Sequence, residues 1–164
     1  MTDLYLGLGS NVNREGCISQ ALDLLKQTFG SLNISPTFES ESVGFDGDNF
    51  YNLVVHAETE LSLEQVIKTY RSIEDKCGRD RTGPKFGART LDIDLLLYGD
   101  LICTQPIELP RDEILENAYV LWPLAIMTPD LKHPQTGKNY RDHWQEYAKL
   151  QKLWRVETPW DKDY

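Results

Sequence analysis

Five cations crowd one stretch of this chain: Lys76, Arg79, Arg81, Lys85 and Arg89 share it with a single acid, Asp80, a local charge of +4. Immediately beyond stand Asp92 and Asp94. On a strand these two point to the same face, with Cα atoms about 6.5–7 Å apart. Two unscreened carboxylates at that separation repel by roughly 2–3 kcal/mol at an effective dielectric of about 20, so a cation belongs between them. A divalent metal shared with substrate phosphates would serve, with the arginines gripping the remaining phosphate oxygens in bidentate fashion. These are the parts of a phosphoryl-transfer site. The same residues also read as a structural ion-pair cluster on a solvated face, neutralised by Arg89 and its neighbours. Leu91, Ile93, Leu95, Leu96 and Leu97 surround the aspartates. The strand therefore reads as central, where carboxylates without a function are seldom placed.

Other nucleotide fingerprints do not fit. Gly7-x-Gly9 has Val12 where a third glycine belongs, and Gly78-x4-Gly83 is followed by Pro84 rather than the lysine of a phosphate-binding loop. His56, His133 and His143 show neither metal-ligand spacing nor a partnered nucleophile and read as surface or structural residues. Cys17, Cys77 and Cys103 are an odd set without C-x-x-C spacing, which excludes a disulfide framework and a thiolate zinc site and fits a reducing cytoplasm.

The elements that position these groups follow from periodicity. Leu4 to Gly9 is a short apolar run that reads as a buried strand entering a Gly-Ser-Asn loop. Asn13 is placed to cap a helix carrying Ile18, Leu22, Leu25 and Phe29, with Gly30 as its stop. Residues 32–43 read as one half-exposed strand, residues 44–49 as a turn-rich loop, and Phe50 to Val55 as the next strand. Ser62 and Gln65 form a capping box for a helix striped by Leu63, Val66, Ile67, Tyr70 and Ile73 and ending near Gly78. A last apolar strand runs from Leu91 to Tyr98. The order β-α-β-β-α-β predicts an α+β, ferredoxin-like sandwich, an antiparallel sheet with two helices on one face. After Gly99 the signals weaken to a short helix around residues 121–125 and a tail holding Trp144, Trp154 and Trp160, expected to cover the core.

The 164 residues suit one domain. A net charge of −9 disfavours nonspecific binding to nucleic acid or anionic membrane, so neither is expected as a partner. The N-terminus lacks a basic leader, and the longest apolar stretch, Tyr119 to Met127, contains Pro123 and is far short of the roughly 20 residues a spanning helix needs. A soluble, unprocessed, cytoplasmic monomer is the expectation.

Lys85-Phe86-Gly87-Ala88-Arg89-Thr90-Leu91-Asp92-Ile93-Asp94-Leu95-Leu96 resembles, without a gap, the signature of the hydroxymethyldihydropterin pyrophosphokinases, which move pyrophosphate from ATP to a pterin alcohol. Gly9-Ser10-Asn11, Phe50-Tyr51-Asn52, Glu74 to Arg79, and Leu121-Trp122-Pro123-Leu124 match in the same order, so the likeness covers about residues 3–130. It implies that Asp92 and Asp94 bind two Mg²⁺ ions bridging the ATP phosphates and that Asp92 also borders the substrate. It further implies that Arg79 and Arg89 stabilise the charge of the reacting phosphoryl group, that Glu74 and Arg81 line the nucleotide site, and that AMP leaves. Asp94 is the nearest candidate to receive the hydroxyl proton. For the pterin, the likeness puts Phe50 and Tyr119 on either side of the ring and Asn52 on its polar edge. Backbone at Ser40 and Val43 would line the pocket, and Phe86 would close over it.

The departures gather in one place. Where the family has Pro-His and then an arginine before a Phe-containing run, this chain reads Pro110-Arg111-Asp112 and Asn117-Ala118-Tyr119. A histidine and an arginine that contact ATP are missing; Arg111 is a replacement cation, while Asp112 and Glu113 add negative charge beside the triphosphate. A diverged paralogue with weakened ATP binding or another pteridine substrate is thus a second reading. A ferredoxin-like RNA-binding module is a third, opposed by the acidic balance and the lack of an aromatic RNA-binding strand.

Overall fold

Why one sheet can carry two different surfaces is visible in its strand parity. In the computed structural model, which describes residues 1–41, 49–77 and 91–164, β1 (Thr2–Ser10) lies between β4 (Phe50–Thr59) and β5 (Asp92–Tyr98), antiparallel to both. Leu4, Leu6 and Leu8 of β1, with Leu53, Val55 and Ala57 of β4 and Ile93 and Leu95 of β5, point to one face. There they meet the apolar stripes of α1 (Arg14–Phe29) and α2 (Leu63–Lys76). The strand order β5-β1-β4-β3, with β3 spanning Thr37–Ser40, is the ferredoxin-like arrangement expected from the sequence.

The capping box forms as expected: Gln65 N donates to Ser62 Oγ at 3.2 Å and Ser62 N to Gln65 Oε1 at 2.9 Å. Gly30 ends α1 at φ 82°, its amide on Lys26 O at 2.8 Å. Asn13 departs from expectation. It precedes α1 in the left-handed region (φ 48°) and makes no side-chain cap bond. Its amide lies instead over Gly16, close enough that a Cβ there would sit 2.8 Å from Nδ2.

The half-exposed strand expected at 32–43 is broken in two. β2 (Asn33–Ile34) and β3 are separated at Ser35-Pro36, because proline has no N–H to give the ladder. Ser35 repairs the gap: its amide donates to Val54 O and its hydroxyl accepts from Val54 N, both at 2.8 Å.

Two further expectations are corrected. Among the described residues β5 is not central but the outer strand, and it reads as buried because both of its faces are packed. Its second cover comes from the region after Gly99, where α3 (Glu113–Glu116), α4 (Ala118–Met127) and α5 (Tyr140–Glu146) form a helical layer; the short helix expected around residues 121–125 is the middle of α4, while α3 and α5 carried no signal. Ile114, Val120, Leu121, Leu124 and Tyr140 pack there on Tyr5, Val54, Leu96 and Leu97. A register shift between Tyr5 and Leu6 leaves Leu96 as an extra residue, turning Leu97 to this face and presenting the Leu96 carbonyl to Arg111 N at 3.0 Å. α4 is apolar on every side, so it shows no helical period.

The tail covers the core in two places. Trp144 of α5 stacks on Trp122 of α4 (centroids 5.2 Å, planes 8° apart), and Trp122 in turn meets Phe38 of β3 at 4.6 Å. β6 (Leu153–Val156) adds a strand beside β3, and beyond it Trp160 enters the first core with its indole N–H on Thr37 Oγ1 at 3.3 Å. Trp160 is 3% exposed and Trp154 40%. Trp160→Ala is therefore expected to lower the unfolding free energy by about 3 kcal/mol or more, and Trp154→Ala by about 0.5 kcal/mol or less, as read by urea titration of the two variants against the parent.

Candidate active site

The face of the sheet under α4 carries a gap in its side chains. Gly7 and Gly9 of β1 stand opposite Asp94 and Asp92 of β5, and Gly9 stands opposite Asn52 of β4. Gly9 thus floors a trough with Asp92 on one bank and the Asn52 amide on the other, and Gly7 continues the floor toward Asp94 until the Leu96 side chain closes it, 3.6 Å from where a Gly7 Cβ would be. Gly9 is required there: a Cβ at this position would lie 3.0 Å from Asn52 Oδ1. Both glycines sit inside the strand, which continues to Ser10, rather than in a loop at its end. Asn52 is 8% exposed and donates from Nδ2 to Ser40 Oγ at 2.9 Å, joining β4 to β3 across this bank. Phe50, half-buried, pairs in register with Ser40 at the same end.

The carboxylate bank is braced from both sides of the sheet. From α2, Glu74 reaches the Ile93 amide, which donates to its Oε2 at 2.9 Å. Ile93 is the residue between Asp92 and Asp94, so Glu74 holds the strand segment that carries them. At 3% exposure Glu74 presents little surface to a nucleotide, and its place is beneath the site rather than in it. On the trough face of the same bank, Arg111 Nη2 lies 3.6 Å from Asp94 Oδ1. Its Nε is buried without a hydrogen-bond partner among the described residues. The cation expected beside the aspartate pair is thus supplied in part by Arg111.

Glu113, one residue into α3, hydrogen-bonds Asp94. Burial first, and the Asp94 charge second, raise its carboxyl well above the usual glutamate range. The negative charge expected from Glu113 near a triphosphate is therefore reduced by a retained proton. Tyr119 lies in the same field. Its phenol is pushed up to about 12 by burial, then by the charges of Glu113, Asp94 and Asp92, and it accepts from Asn117 Nδ2 at 2.9 Å. Asn117, standing where the resemblance expects an arginine, thus serves the Tyr119 hydroxyl.

Of the residues singled out from sequence, the structure gathers Asp92, Asp94, Arg111 and Tyr119 on one side of the trough and Ser40, Phe50 and Asn52 on the other. Val43, Arg79, Arg81, Phe86 and Arg89 lie outside the described residues. Glu113 was read only as an adverse charge; its bond to Asp94 links residues 19 positions apart, which no local spacing signals. Glu74 did carry a signal, since it falls four residues after Tyr70 on the buried stripe of α2. The histidines are structural, as read: His56 joins Asp3 and Asn33, and buried His133 Nδ1 accepts from the Gln135 amide at 3.2 Å. Among the described residues no helix is long and apolar enough to cross a membrane.

By fold and site the chain is an α+β protein of the ferredoxin-like type with an acidic trough on its second face. The model of the family 7,8-dihydro-6-hydroxymethylpterin-pyrophosphokinase (HPPK) matches residues 5–129. The 2-amino-4-hydroxy-6-hydroxymethyldihydropteridine pyrophosphokinase of Aquifex aeolicus is 34% identical over 137 residues, covering 82% of this chain and 85% of that protein. A folic acid synthesis protein of Schizosaccharomyces pombe is 35% identical over 137 residues, which are 80% of this chain but 19% of that longer protein. A solved Plasmodium falciparum HPPK-DHPS superposes with a TM-score of 0.71 at 14% identity, over 89% of this chain and 44% of that one. The chain belongs to the HPPK family.

The Glu113 proton has a measurable consequence for the metal-free protein. Its carboxyl titrates from 4.5 when unfolded and higher when folded, so the folded state binds the proton more tightly. Stability is then lost as pH rises through the interval between the two values. Glu113→Gln removes this dependence: its melting temperature should gain on the parent by a few degrees between pH 5 and pH 8, and a gap that stays constant would oppose the assignment.

Proposed function

We propose that this chain transfers pyrophosphate from ATP to 6-hydroxymethyl-7,8-dihydropterin, releasing AMP and the pterin diphosphate for folate synthesis. The observation that carries the reading is the trough itself: in a member of this family, paired carboxylates face a hydrogen-bonding bank across a floor without side chains. The pterin lies on that floor between Phe50 and Tyr119. With Nδ2 given to Ser40, the Asn52 Oδ1 is left to accept from the amino edge of the pterin. Backbone at Ser40 and Val43 borders the ring, and Phe86 closes over it.

Asp92 and Asp94 suit Mg²⁺. They are hard oxygen donors, the Asp94 side chain is 34% exposed, and among the described residues no group of three or more His, Cys, Asp or Glu is arranged to cage a metal. A small octahedral ion that keeps waters and shares its remaining positions with phosphates asks for such a site. When bound, Mg²⁺ offsets the charge of the phosphates and of the two aspartates. The protein's own work is positioning and charge placement. Arg79, Arg81 and Arg89 hold the phosphate oxygens, Arg111 turns from Asp94 to the nucleotide, and Asp94 accepts the proton of the attacking hydroxyl. Glu74 keeps both aspartates on the trough side of β5.

Replacement of the family's histidine and arginine by Arg111 and Asn117 favours weaker ATP binding as a second reading. It separates from the first by a high KM for ATP beside an ordinary KM for the pterin.

Incubation with Mg²⁺, ATP and 6-hydroxymethyl-7,8-dihydropterin should yield AMP and pterin diphosphate in equal amounts. A folded protein that binds pterin yet forms no AMP would sink the proposal. Asp92→Ala and Asp94→Ala should each abolish turnover while melting close to the parent, because removing one of two repelling charges costs the fold little; a variant that simply unfolds supports the structural ion-pair reading instead. Gly9→Ala should raise the pterin KM about tenfold by displacing the Asn52 amide, with the ATP KM unchanged.

A further inference from the structure

The family match ends at residue 129, yet the chain beyond it returns to both banks of the trough. α4 begins without the usual help. Its preceding residue, Asn117, is of a type that ordinarily accepts a bond from the first amides of a helix, but it makes no such bond. Its Nδ2 is given to Tyr119 Oη. The Ala118 amide, the first of the helix, donates instead to Gln151 Oε1 at 2.7 Å, from 33 residues away. The segment around Gln151 is fastened to the turn before α4: Tyr147 Oη donates to Glu116 O at 2.7 Å, and Lys149 pairs with the Glu116 carboxylate. Two residues after Gln151, Leu153 enters β6 as the register partner of Ser40.

From this geometry we infer that Gln151 is a positioning residue for the pterin site: by capping α4 it fixes the start of the helix and with it the Tyr119 ring, one residue on. The inference rests on the reading that Tyr119 stacks on the pterin. Its chemistry is specific. An acceptor oxygen at the end of a side chain of this length is what the Ala118 N–H needs, and the β6–β3 pairing that begins two residues later at Leu153 anchors the segment that carries it.

The test compares Gln151→Ala, Gln151→Met and Gln151→Glu with the parent in steady-state assays of AMP release, using 6-hydroxymethyl-7,8-dihydropterin and ATP. Alanine and methionine remove the acceptor; glutamate restores it. The pterin KM should rise on the order of fivefold in the first two, with kcat and the ATP KM unchanged, and return toward the parent value in Gln151→Glu. Lys149→Ala, which cuts only the ion pair to Glu116, should leave all three constants as they are. Should alanine cost the fold, the nearly isosteric methionine carries the comparison. An unchanged pterin KM in a parent that turns over, or equal losses in both KM values, overturns the positioning role alone. A parent that forms no AMP overturns the functional reading and this inference with it.

Discussion

The constraint that organises this molecule is the repulsion between Asp92 and Asp94, two carboxylates that strand geometry holds on one face of β5. Each surrounding element answers it. Glu74 reaches from the opposite face to the backbone of Ile93 and keeps the strand segment in place. Arg111 brings a positive charge to within 3.6 Å of Asp94. Glu113 enters the cluster with a raised carboxyl pKa and so adds less charge than its sequence position suggests. The arrangement without ligand is therefore partly compensated. Under the proposed function, the charge left over is what a metal-bound triphosphate would take up.

The floor of the trough answers a different demand. The middle strand of a sheet packed on both faces would ordinarily bury large side chains on each. On one face β1 does so, with Leu4, Leu6 and Leu8. On the other it gives Tyr5 to the second core and then Gly7 and Gly9 to the trough, and at Gly9 a methyl group would press on the Asn52 amide at 3.0 Å. The second glycine of a Gly-x-Gly pattern that fails as a nucleotide fingerprint is thus explained by what lies across the strand from it.

The elements with a strict period were legible in the sequence: the two amphipathic helices, the capping box at Ser62 and the alternating strands together give the ferredoxin-like order. What escaped has a physical reason in each case. α4 is apolar all round because it sits between the sheet and α5, so it has no stripe to detect. β5 reads as central because packing on two faces leaves the same apolar run as pairing on two edges. Asp92 and Asp94 could be found because their relation is local. The bonds of Glu113 to Asp94 and of Gln151 to Ala118 are long-range and depend on a second helical layer of which only the middle of α4 carried a sequence signal.

The departures from the family pattern form one connected set. A tyrosine at position 119, where the resemblance expects phenylalanine, brings a hydroxyl into a half-buried place, and an unpartnered hydroxyl there costs about 1–3 kcal/mol. Asn117 supplies the partner, and in doing so gives up both the cation expected at its position and the capping bond an asparagine there would make. The helix then takes its cap from Gln151, in the segment that has no counterpart in the family signature. Tyr119, Asn117 and Gln151 are therefore linked in one chain of hydrogen bonds: the Tyr119 hydroxyl takes the Asn117 amide, and the start of α4 takes its acceptor from the segment beyond the family match.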